Sequence, residues 1–416
     1  MKPLKKLFLI FNLLVSMTVN LYSQSWVQQN SGTSKHLRDV YFINQNTGYI
    51  VGGSNIGIVL KTTNGGNNWN QINIGSDLVS YSVLFLNAQT GFIAHNTISK
   101  TTDSGSNWEV TSGNSSCHDI FFLNNNEGYA CGSAGIILKS TNGGDNWITL
   151  GSGVNHELNS IYFINSLTGY SAGYFANEPT ITYRILRTTN GGNFWTTLSQ
   201  GSSLSTTQKM ITFSDSTTGY MIDANSIYRS SNSGNNWSVI FTLQPYTSLY
   251  AIHFPSPRFG YVVGDHGVIL KTTDYGLNWS SMGSGVTNIL YSVFFTDTLT
   301  GYAVGESGII IKTTNGGVTF THPISTETPN HFSLSQNYPN PFNPKTKLKF
   351  ELPSGSFARL IVFDVLGREL ETLVNENLNA GKYEINWNPE KQAGGIYYYR
   401  LNAGNFSETK KMLLIK

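Results

Sequence analysis

The sequence predicts an all-β protein, a seven-bladed β-propeller followed by a small Ig-like β-sandwich. Three observations support this prediction. The 416 residues include 42 glycines and only 12% charged residues, which favours strands joined by tight turns over helices. One unit of about 41 residues occurs seven times, which is the spacing of propeller blades. After the last unit the composition changes, and alternating strands with glycine turns follow.

The first predicted element, residues 1–23, is a secretory signal peptide. Three lysines precede an apolar run from Leu7 to Val15, and a polar stretch ends at Ser23. The apolar run is well short of the roughly 20 residues that a bilayer requires, so a membrane anchor is the weaker alternative. We therefore expect a protein that is exported and carries no transmembrane anchor.

Residues 24–320 are predicted to form the propeller, with four short strands in each unit. A Gly-aromatic pair marks every unit. The pairs are Gly48-Tyr49, Gly91-Phe92, Gly128-Tyr129, Gly169-Tyr170, Gly219-Tyr220, Gly260-Tyr261 and Gly301-Tyr302. An eight-bladed ring would need an eighth pair, and the sequence has none. The strand Trp26-Val27-Gln28 is expected to supply the outer strand of the last blade, which closes the ring and leaves no sheet edge open.

A second pattern, Thr/Ser-x-Asn/Asp-x-Gly-x-x-Trp, stands at the predicted turn between the third and fourth strands. It suits a tight hairpin, because Asn or Asp bonds the turn backbone, Gly adopts a positive φ and the aromatic ring fills the space beside it. The closing aromatics are Trp69, Trp108, Trp147, Trp195, Trp237, Trp279 and, more weakly, Phe320. The pattern resembles the Asp-box of sialidases, a structural device on the face opposite the active site. The whole unit resembles the photosystem II assembly factor family of propellers, and this resemblance indicates the fold.

Residues 321–333 are predicted to be a polar linker, and residues 334–416 a separate module. The module opens on a proline-rich run, which excludes a helix or a central strand there. The module resembles the C-terminal sorting domain of the Bacteroidetes type IX secretion system. The sorting-motif residues include Pro339, Asn340, Pro341, Phe342, Asn343, Pro344, Gly367, Arg368 and Lys411.

The sorting-domain resemblance implies the type IX secretion machinery as a partner. It also implies that the protein, after export by the signal peptide and passage through the outer membrane, is secreted or held at the cell surface. A carbohydrate-binding or spacer sandwich is the weaker alternative for this module.

Charge and histidine placement indicate neither nucleic-acid binding nor a metal or cofactor. Residues 24–329 hold 12 Lys and Arg against 16 Asp and Glu, and residues 330–416 hold 11 against 8. The eight histidines are scattered without the spacing of metal ligands.

The enzymatic alternative is a sialidase-like glycoside hydrolase, which clamps its substrate carboxylate with three arginines. The predicted propeller has five arginines. Arg187 and Arg229 occupy a repeat position that is otherwise lysine, and Arg258 lies on the Asp-box face. Arg38 and Arg184 remain, and two arginines cannot form this clamp. No carboxylate pair can be singled out as acid and nucleophile, so we expect no catalytic residues and no enzymatic activity.

The remaining hypothesis is binding at the ring mouth opposite the Asp-box-like turns. An insertion of about ten residues from Tyr174 to Tyr183 replaces a short turn in the fourth unit, and such insertions often mark the binding face of a repeat protein. The starts of the inner strands form a column of basic and aromatic residues, a composition typical of interfaces. The column is Arg38, Tyr81, His118, Asn159, Lys209, Tyr250 and Tyr291. An envelope glycan and a surface protein are both candidate partners, and a passive module in which the column is merely solvated is the alternative.

The two cysteines, Cys117 and Cys131, fall on the first and second strands of the third unit. They occupy columns that hold Leu37 and Val51 in the first unit. A disulfide across this hairpin is compatible with export. Two free thiols are the alternative, because both columns are otherwise apolar and cysteine serves as a small buried hydrophobe.

Overall fold

The computed structural model describes residues 26–74, 79–113, 116–177, 180–203, 211–317, 328–387, 389 and 392–415. Within these ranges the chain is built from β-strands and three short 3₁₀ turns. Seven four-stranded antiparallel sheets come first. Two further sheets, of three and four strands, follow and form a smaller domain. The predicted all-β propeller is confirmed. The signal peptide lies outside the described residues, as do residues 318–327, which include Phe320 and most of the linker.

The sheets are numbered here as blades one to seven, each with its strands in order from first to fourth. The first four blades are Leu37–Phe42, Gly48–Gly53, Gly57–Thr62 and Asn70–Ile72; Ser82–Phe85, Gly91–Ala94, Ile98–Thr101 and Glu109–Val110; Cys117–Phe122, Gly128–Gly132, Ile136–Ser140 and Ile148–Gly151; and Glu157–Phe163, Gly169–Asn177, Thr180–Thr188 and Thr196–Ser203.

The last three blades and the 3₁₀ turns complete this part of the chain. Blades five to seven are Ile211–Phe213, Gly219–Asp223, Ser226–Ser230 and Ser238–Thr242; Leu249–Ser256, Phe259–Gly264, Ile269–Thr272 and Ser280–Met282; and Leu290–Phe295, Gly301–Gly305, Ile310–Thr313 and the N-terminal Val27–Gln29. The 3₁₀ turns are Ser133–Gly135, Asp265–Gly267 and Glu306–Gly308.

Ring closure occurs through the N-terminal strand, as the sequence predicted. Val27 pairs with Lys312 on the third strand of blade seven. Trp26 is fully buried, and its ring meets Phe295 edge-on with centroids 5.7 Å apart. Trp69, the closing aromatic of the first Asp-box-like turn, makes the same edge-on contact with Phe42, with ring centroids 5.8 Å apart. Trp26 therefore occupies in blade seven the place of a closing tryptophan.

The Gly-aromatic pairs join each blade to the next. Tyr302 of blade seven donates its hydroxyl hydrogen to the carbonyl oxygen of Gly65 in blade one, at 2.9 Å, and Lys312 donates to the same oxygen at 2.7 Å. Gly65 has a φ of 66°, so the Asp-box-like turn presents this carbonyl to the neighbouring blade. The glycine of the pair is needed for space, because a Cβ at Gly48 would lie 2.6 Å from the Phe42 ring.

Two buried carboxylates on first strands, not singled out by the sequence analysis, connect three blades each. Asp39 accepts hydrogen bonds from the Val83 backbone N–H in blade two at 2.9 Å and the Ser292 hydroxyl in blade seven at 2.8 Å. Asp119 accepts from the Ile161 N–H in blade four at 2.9 Å and the Ser82 hydroxyl in blade two at 3.4 Å. These contacts hold blade seven and blades one to four together around the axis.

We expect the stability of the ring to fall as pH rises from about 4 to 7. Burial raises the pKa of Asp39 to about 6 and that of Asp119 to about 7, from 3.8. A carboxyl whose folded pKa is raised stabilises the fold below its unfolded pKa, and this contribution is lost as pH passes the folded pKa. The total change is on the order of several kcal/mol. Chemical denaturation at a series of pH values measures it.

The double variant Asp39→Asn and Asp119→Asn should flatten this pH dependence, because neither side chain then titrates. Asp103→Asn is the matched control. Asp103 is exposed, and its hydrogen bonds to Asn107 lower its pKa to about 2. Its contribution to stability is therefore constant between pH 4 and 7 and is lost only as pH falls from about 4 to 2. A parent chain with constant stability between pH 4 and 7 would contradict the prediction.

The C-terminal region is a two-sheet domain with a core of its own. Its strands are Ser333–Leu334, Thr346–Leu352, Ser356–Phe363, Glu369–Leu378, Gly381–Trp387, Gly395–Ala403 and Phe406–Leu414. The first, second and fifth strands form one sheet, and the other four form the second. One apolar cluster from Leu334 to Leu414 fills the space between the sheets, and its members include Phe342 of the sorting motif.

Of the two alternatives for Cys117 and Cys131, a disulfide and two free thiols, the structure has the free thiols, and both are buried. Cys117 pairs with Gly132, and a bulge separates this pair from the next one, Asp119 with Cys131. Cys117 packs toward blade two, against Phe92 and Ala94, whereas Cys131 packs toward blade four with Leu158. The two thiols lie on opposite faces of one sheet, and each serves as a small apolar side chain.

Candidate functional site

The predicted column lies where the first strands begin. Arg38, His118 and Asn159 are within the first residues of their strands, as are Tyr250 and Tyr291. Tyr81 directly precedes its strand. Lys209 lies outside the described residues. We call the six described residues the mouth cluster: Arg38, Tyr81, His118, Asn159, Tyr250 and Tyr291.

Members of the mouth cluster touch one another in a continuous row. The Tyr250 and Tyr291 rings meet edge-on at 5.4 Å. The Arg38 guanidinium lies 6.0 Å from the Tyr291 ring and 5.5 Å from the Tyr81 ring. Tyr81 contacts His118 at 4.9 Å, and His118 Nδ1 is 2.9 Å from Asn159 Oδ1. The row therefore runs over blades six, seven, one, two, three and four.

Two hydrogen-bond donors in this row have no partner within the described part of the chain. Arg38 Nε and Asn159 Nδ2 are both buried and make no hydrogen bond there. Burial lowers the pKa of His118, so this ring is neutral at ordinary pH and leaves the positive charge to Arg38. A guanidinium held between two aromatic rings keeps a fixed orientation, which suits it to an incoming acceptor.

Carboxylates stand beside the mouth cluster and supply acceptors. Glu157 Oε2 accepts from the Ser133 hydroxyl at 2.8 Å, and Asp265 Oδ2 accepts from the Ser248 N–H at 2.8 Å. Burial, with the nearby charge of Glu306, raises the pKa of Tyr291. The mouth thus combines aromatic faces with both donors and acceptors, a mixture suited to orienting a polar ligand.

The blade-four insertion is an extended hairpin on the mouth face. Tyr174 pairs with Tyr183 across it, and Tyr174 also pairs with Glu157 at the start of the first strand. The Asp-box-like turn after Thr188 lies at the other end of the same strands. Tyr174 lies beside the mouth cluster because it pairs with Glu157, whose carboxylate is 3.8 Å from His118 Nε2. Burial, followed by the charge of Glu157, raises the pKa of Tyr174.

Tyr246 is a mouth-face residue that the sequence analysis missed. It lies between the last strand of blade five and the first of blade six, is 97% exposed and has a φ of 66°. Asn225 fixes this loop by donating to the Leu243 carbonyl oxygen at 2.8 Å. The available signal was the Pro245-Tyr246 pair in the otherwise polar loop between Leu243 and Leu249. A large aromatic side chain in such a loop is an informative exception, because it indicates an exposed aromatic surface.

Across the described ranges, no group of three or more His, Cys, Asp or Glu side chains is placed to hold a metal ion. No helix in the same ranges has the length and apolar character needed to cross a membrane.

Sequence comparison identifies two regions. Residues 18–115, 110–244 and 239–331 match the family described as photosynthesis system II assembly factor YCF48. Residues 336–416 match the secretion system C-terminal sorting domain, which indicates export by type IX secretion to the cell surface or beyond. A comparison with curated proteins gives no match.

Solved structures with the same fold include three of interest. YCF48 bound to a D1 peptide has a TM-score of 0.57 at 20% identity, over 70% of this chain and 97% of the other. PorZ, a surface component of the type IX secretion system of Porphyromonas gingivalis, has a TM-score of 0.52 at 11% identity, over 89% of this chain and 58% of the other. An ancestral GH74 enzyme has a TM-score of 0.51 at 14% identity, over 92% of this chain and 63% of the other. At these identities the likeness concerns the fold.

Proposed function

The chain belongs to the photosynthesis system II assembly factor YCF48 family, and from this premise we propose that it is a non-catalytic propeller, exported by its sorting domain, that binds an envelope glycan or a surface protein at the mouth. The observation that carries the proposal is the continuous row of the mouth cluster, in which Arg38 Nε and Asn159 Nδ2 have no partner in the described part of the chain. A guanidinium set among aromatic rings at the start of the strands suits a partner that supplies acceptors beside apolar faces.

Both partner classes have support. The mouth offers aromatic faces beside donors and acceptors, which suits the hydroxyl groups of a glycan. A protein partner is supported by the solved structure of YCF48 bound to a D1 peptide, because the fold match covers 97% of that YCF48 chain. In either case the blade-four hairpin, which meets the cluster at Tyr174, would contribute to the contact.

A glycoside hydrolase is the second candidate, favoured by the fold shared with the GH74 enzyme. Such enzymes need an acid and a second carboxylate on either side of one bond. The mouth carboxylates Glu157, Asp265 and Glu306 come from blades four, six and seven. The mouth cluster itself is made of aromatic, basic and amide side chains and contains no carboxylate. This composition favours binding without turnover.

Replacement of Arg38 by Ala should weaken partner binding at least tenfold, because it removes the charged donor at the centre of the row. Arg258→Ala is the matched control, since Arg258 lies on the other face and donates to the Thr273 carbonyl oxygen at 2.8 Å. Binding is measured first on a glycan array and by capture from the cell's own envelope, then by titration of the partner found. Release of sugar from an array glycan would instead support the hydrolase.

Shortening the hairpin from Tyr174 to Tyr183 to a Gly-x-x-Gly turn should also weaken capture while the melting temperature stays within a few degrees of the parent. The hairpin projects beyond the repeated part of the blade, so its loss removes little of the core. If Arg38→Ala and the shortened hairpin both keep every interaction of the parent, the mouth is not the working surface and a passive module is the better description.

A further inference from the structure

The sorting-motif residues, which are far apart in sequence, meet at one end of the C-terminal domain. In its four-stranded sheet, Phe363 at the end of one strand pairs with Tyr398 near the start of the next. Ile396 on that strand pairs with Leu413 at the end of the last strand. The turn after Phe363, the start of the strand at Gly395 and the last residues of Phe406–Leu414 therefore lie at the same end of the sheet.

The proline-rich segment joins this end by direct hydrogen bonds. The Phe342 N–H donates to the Leu413 carbonyl oxygen at 3.0 Å, and the Ile415 N–H donates to the Phe342 carbonyl oxygen at 2.9 Å. Asn340 Oδ1 accepts from the Leu413 N–H at 2.9 Å. The segment thus adds to the outermost strand and covers part of its open edge.

The turn at this end is held by one carboxylate. Asp364 Oδ1 accepts from the N–H groups of Leu366 at 2.9 Å and Arg368 at 3.0 Å, and its Oδ2 accepts from Arg368 Nε at 2.6 Å. Gly367 has a φ of 76°, which the turn requires. The turn is well connected within itself and yet displays two apolar side chains, Val365 at 63% exposure and Leu366 at 74%.

These residues extend an apolar surface that continues onto the outer face of the sheet. Ile396 is 40% exposed, Leu413 36% and Ile415 49%. We call Val365, Leu366, Ile396, Leu413 and Ile415 the sorting end. Arg368, 73% exposed, and the exposed Lys411 lie at its rim. Clustered exposed apolar side chains bordered by charge mark interaction surfaces.

We propose that the sorting end is the surface by which this domain docks on the secretion machinery, against a partner surface that is apolar at its centre and acidic at its rim. The matched sorting domain covers residues 336–416 and so includes every residue of the sorting end. The motif residues at this end are used to build and support the exposed patch: Asp364 and Gly367 shape the turn, and Asn340 and Phe342 brace the last strand. The acidic rim follows from the positive charge of Arg368 and Lys411.

The test replaces Leu366, Ile396 and Leu413 together by Ser in the full chain and compares surface-exposed with periplasmic protein in a bacterium that has type IX secretion. Surface delivery should fall at least tenfold, with the protein retained in the periplasm. Phe357→Ser is the matched control, because Phe357 is 51% exposed and lies at the opposite end of the same sheet, at the start of Ser356–Phe363. The control should reach the surface as the parent does.

Two single variants keep the test decisive if the triple variant does not fold. Leu366→Ser changes only an exposed turn side chain, so the melting temperature should match the parent while delivery falls at least threefold. Lys411→Glu should lower delivery through repulsion from the acidic rim. Parent-level delivery of folded Leu366→Ser and Lys411→Glu, or an equal block by Phe357→Ser, overturns the proposal. Because delivery is measured independently of ligand capture, this outcome leaves the function proposed for the mouth unaffected.

Discussion

Trp26→Ala should destabilise the propeller more than the loss of an equivalent tryptophan within a blade. The substitution removes a fully buried ring that packs edge-on against Phe295 and anchors the strand that closes blade seven. Loss of a buried tryptophan costs roughly 3–5 kcal/mol. Here the loss also loosens the pairing of Val27 with Lys312, because the strand Val27–Gln29 has only three residues to hold it. The free energy of unfolding from chemical denaturation measures the effect.

Trp147→Ala is the matched control for Trp26→Ala. Trp147 makes the same edge-on contact, with Phe122 at 5.8 Å, but it is only half-buried and its strand lies within a continuous blade. We expect it to lose about half as much stability, since less area is buried and no ring closure is involved. Equal losses in the two variants would mean that the N-terminal strand contributes nothing special to the ring.

The repeat made the fold predictable, because every unit had to place the same residues in the same positions. The unpaired Trp26 even indicated the closing strand, which the register with Ile310–Thr313 confirms. What the repeat could not show was which departures from it matter. Asp39 and Asp119 occupy a column that holds Ser82, Ser160, Ala251 and Ser292 in other blades. Only the structure shows that each carboxylate joins three blades.

The cysteines show a second limit of reasoning from columns. Alignment placed Cys117 and Cys131 on adjacent strands, and the structure keeps them there. A strand alternates its side chains between two faces, so a shift of one position decides whether two cysteines meet. The register puts Gly132 opposite Cys117, and the two thiols therefore point into different blade interfaces.

The mouth cluster was predictable as a set of positions and not as a set of contacts. The starts of the first strands had to converge on the axis, which placed Arg38 and Tyr291 near each other. The orientation of the Arg38 guanidinium between two rings depends on rotamers and on the ring diameter, and sequence periodicity carries neither. Tyr246 was missed for a related reason, since it stands in a blade-to-blade loop whose sequence varies from unit to unit.

Removal of residues 330–416 should abolish surface delivery and leave the propeller folded. The apolar clusters of the described residues support this separation: one lies wholly within Phe332–Leu414, and the remaining seven lie within Trp26–Ile311. The ring closes through Val27–Gln29, so no strand of the propeller is taken from the sorting domain. A domain with its own core and closed edges folds without its neighbour.

The truncated chain should therefore accumulate in the periplasm with cooperative thermal unfolding within a few degrees of the propeller transition in the full chain, while surface signal falls to background. The chain with the shortened Tyr174–Tyr183 hairpin is the control, since it alters the propeller and keeps the sorting domain matched at residues 336–416. It should reach the surface at the parent level. Surface delivery of the truncated chain would contradict the role of the sorting domain in export. An unfolded truncated chain would mean that the two cores depend on each other for stability.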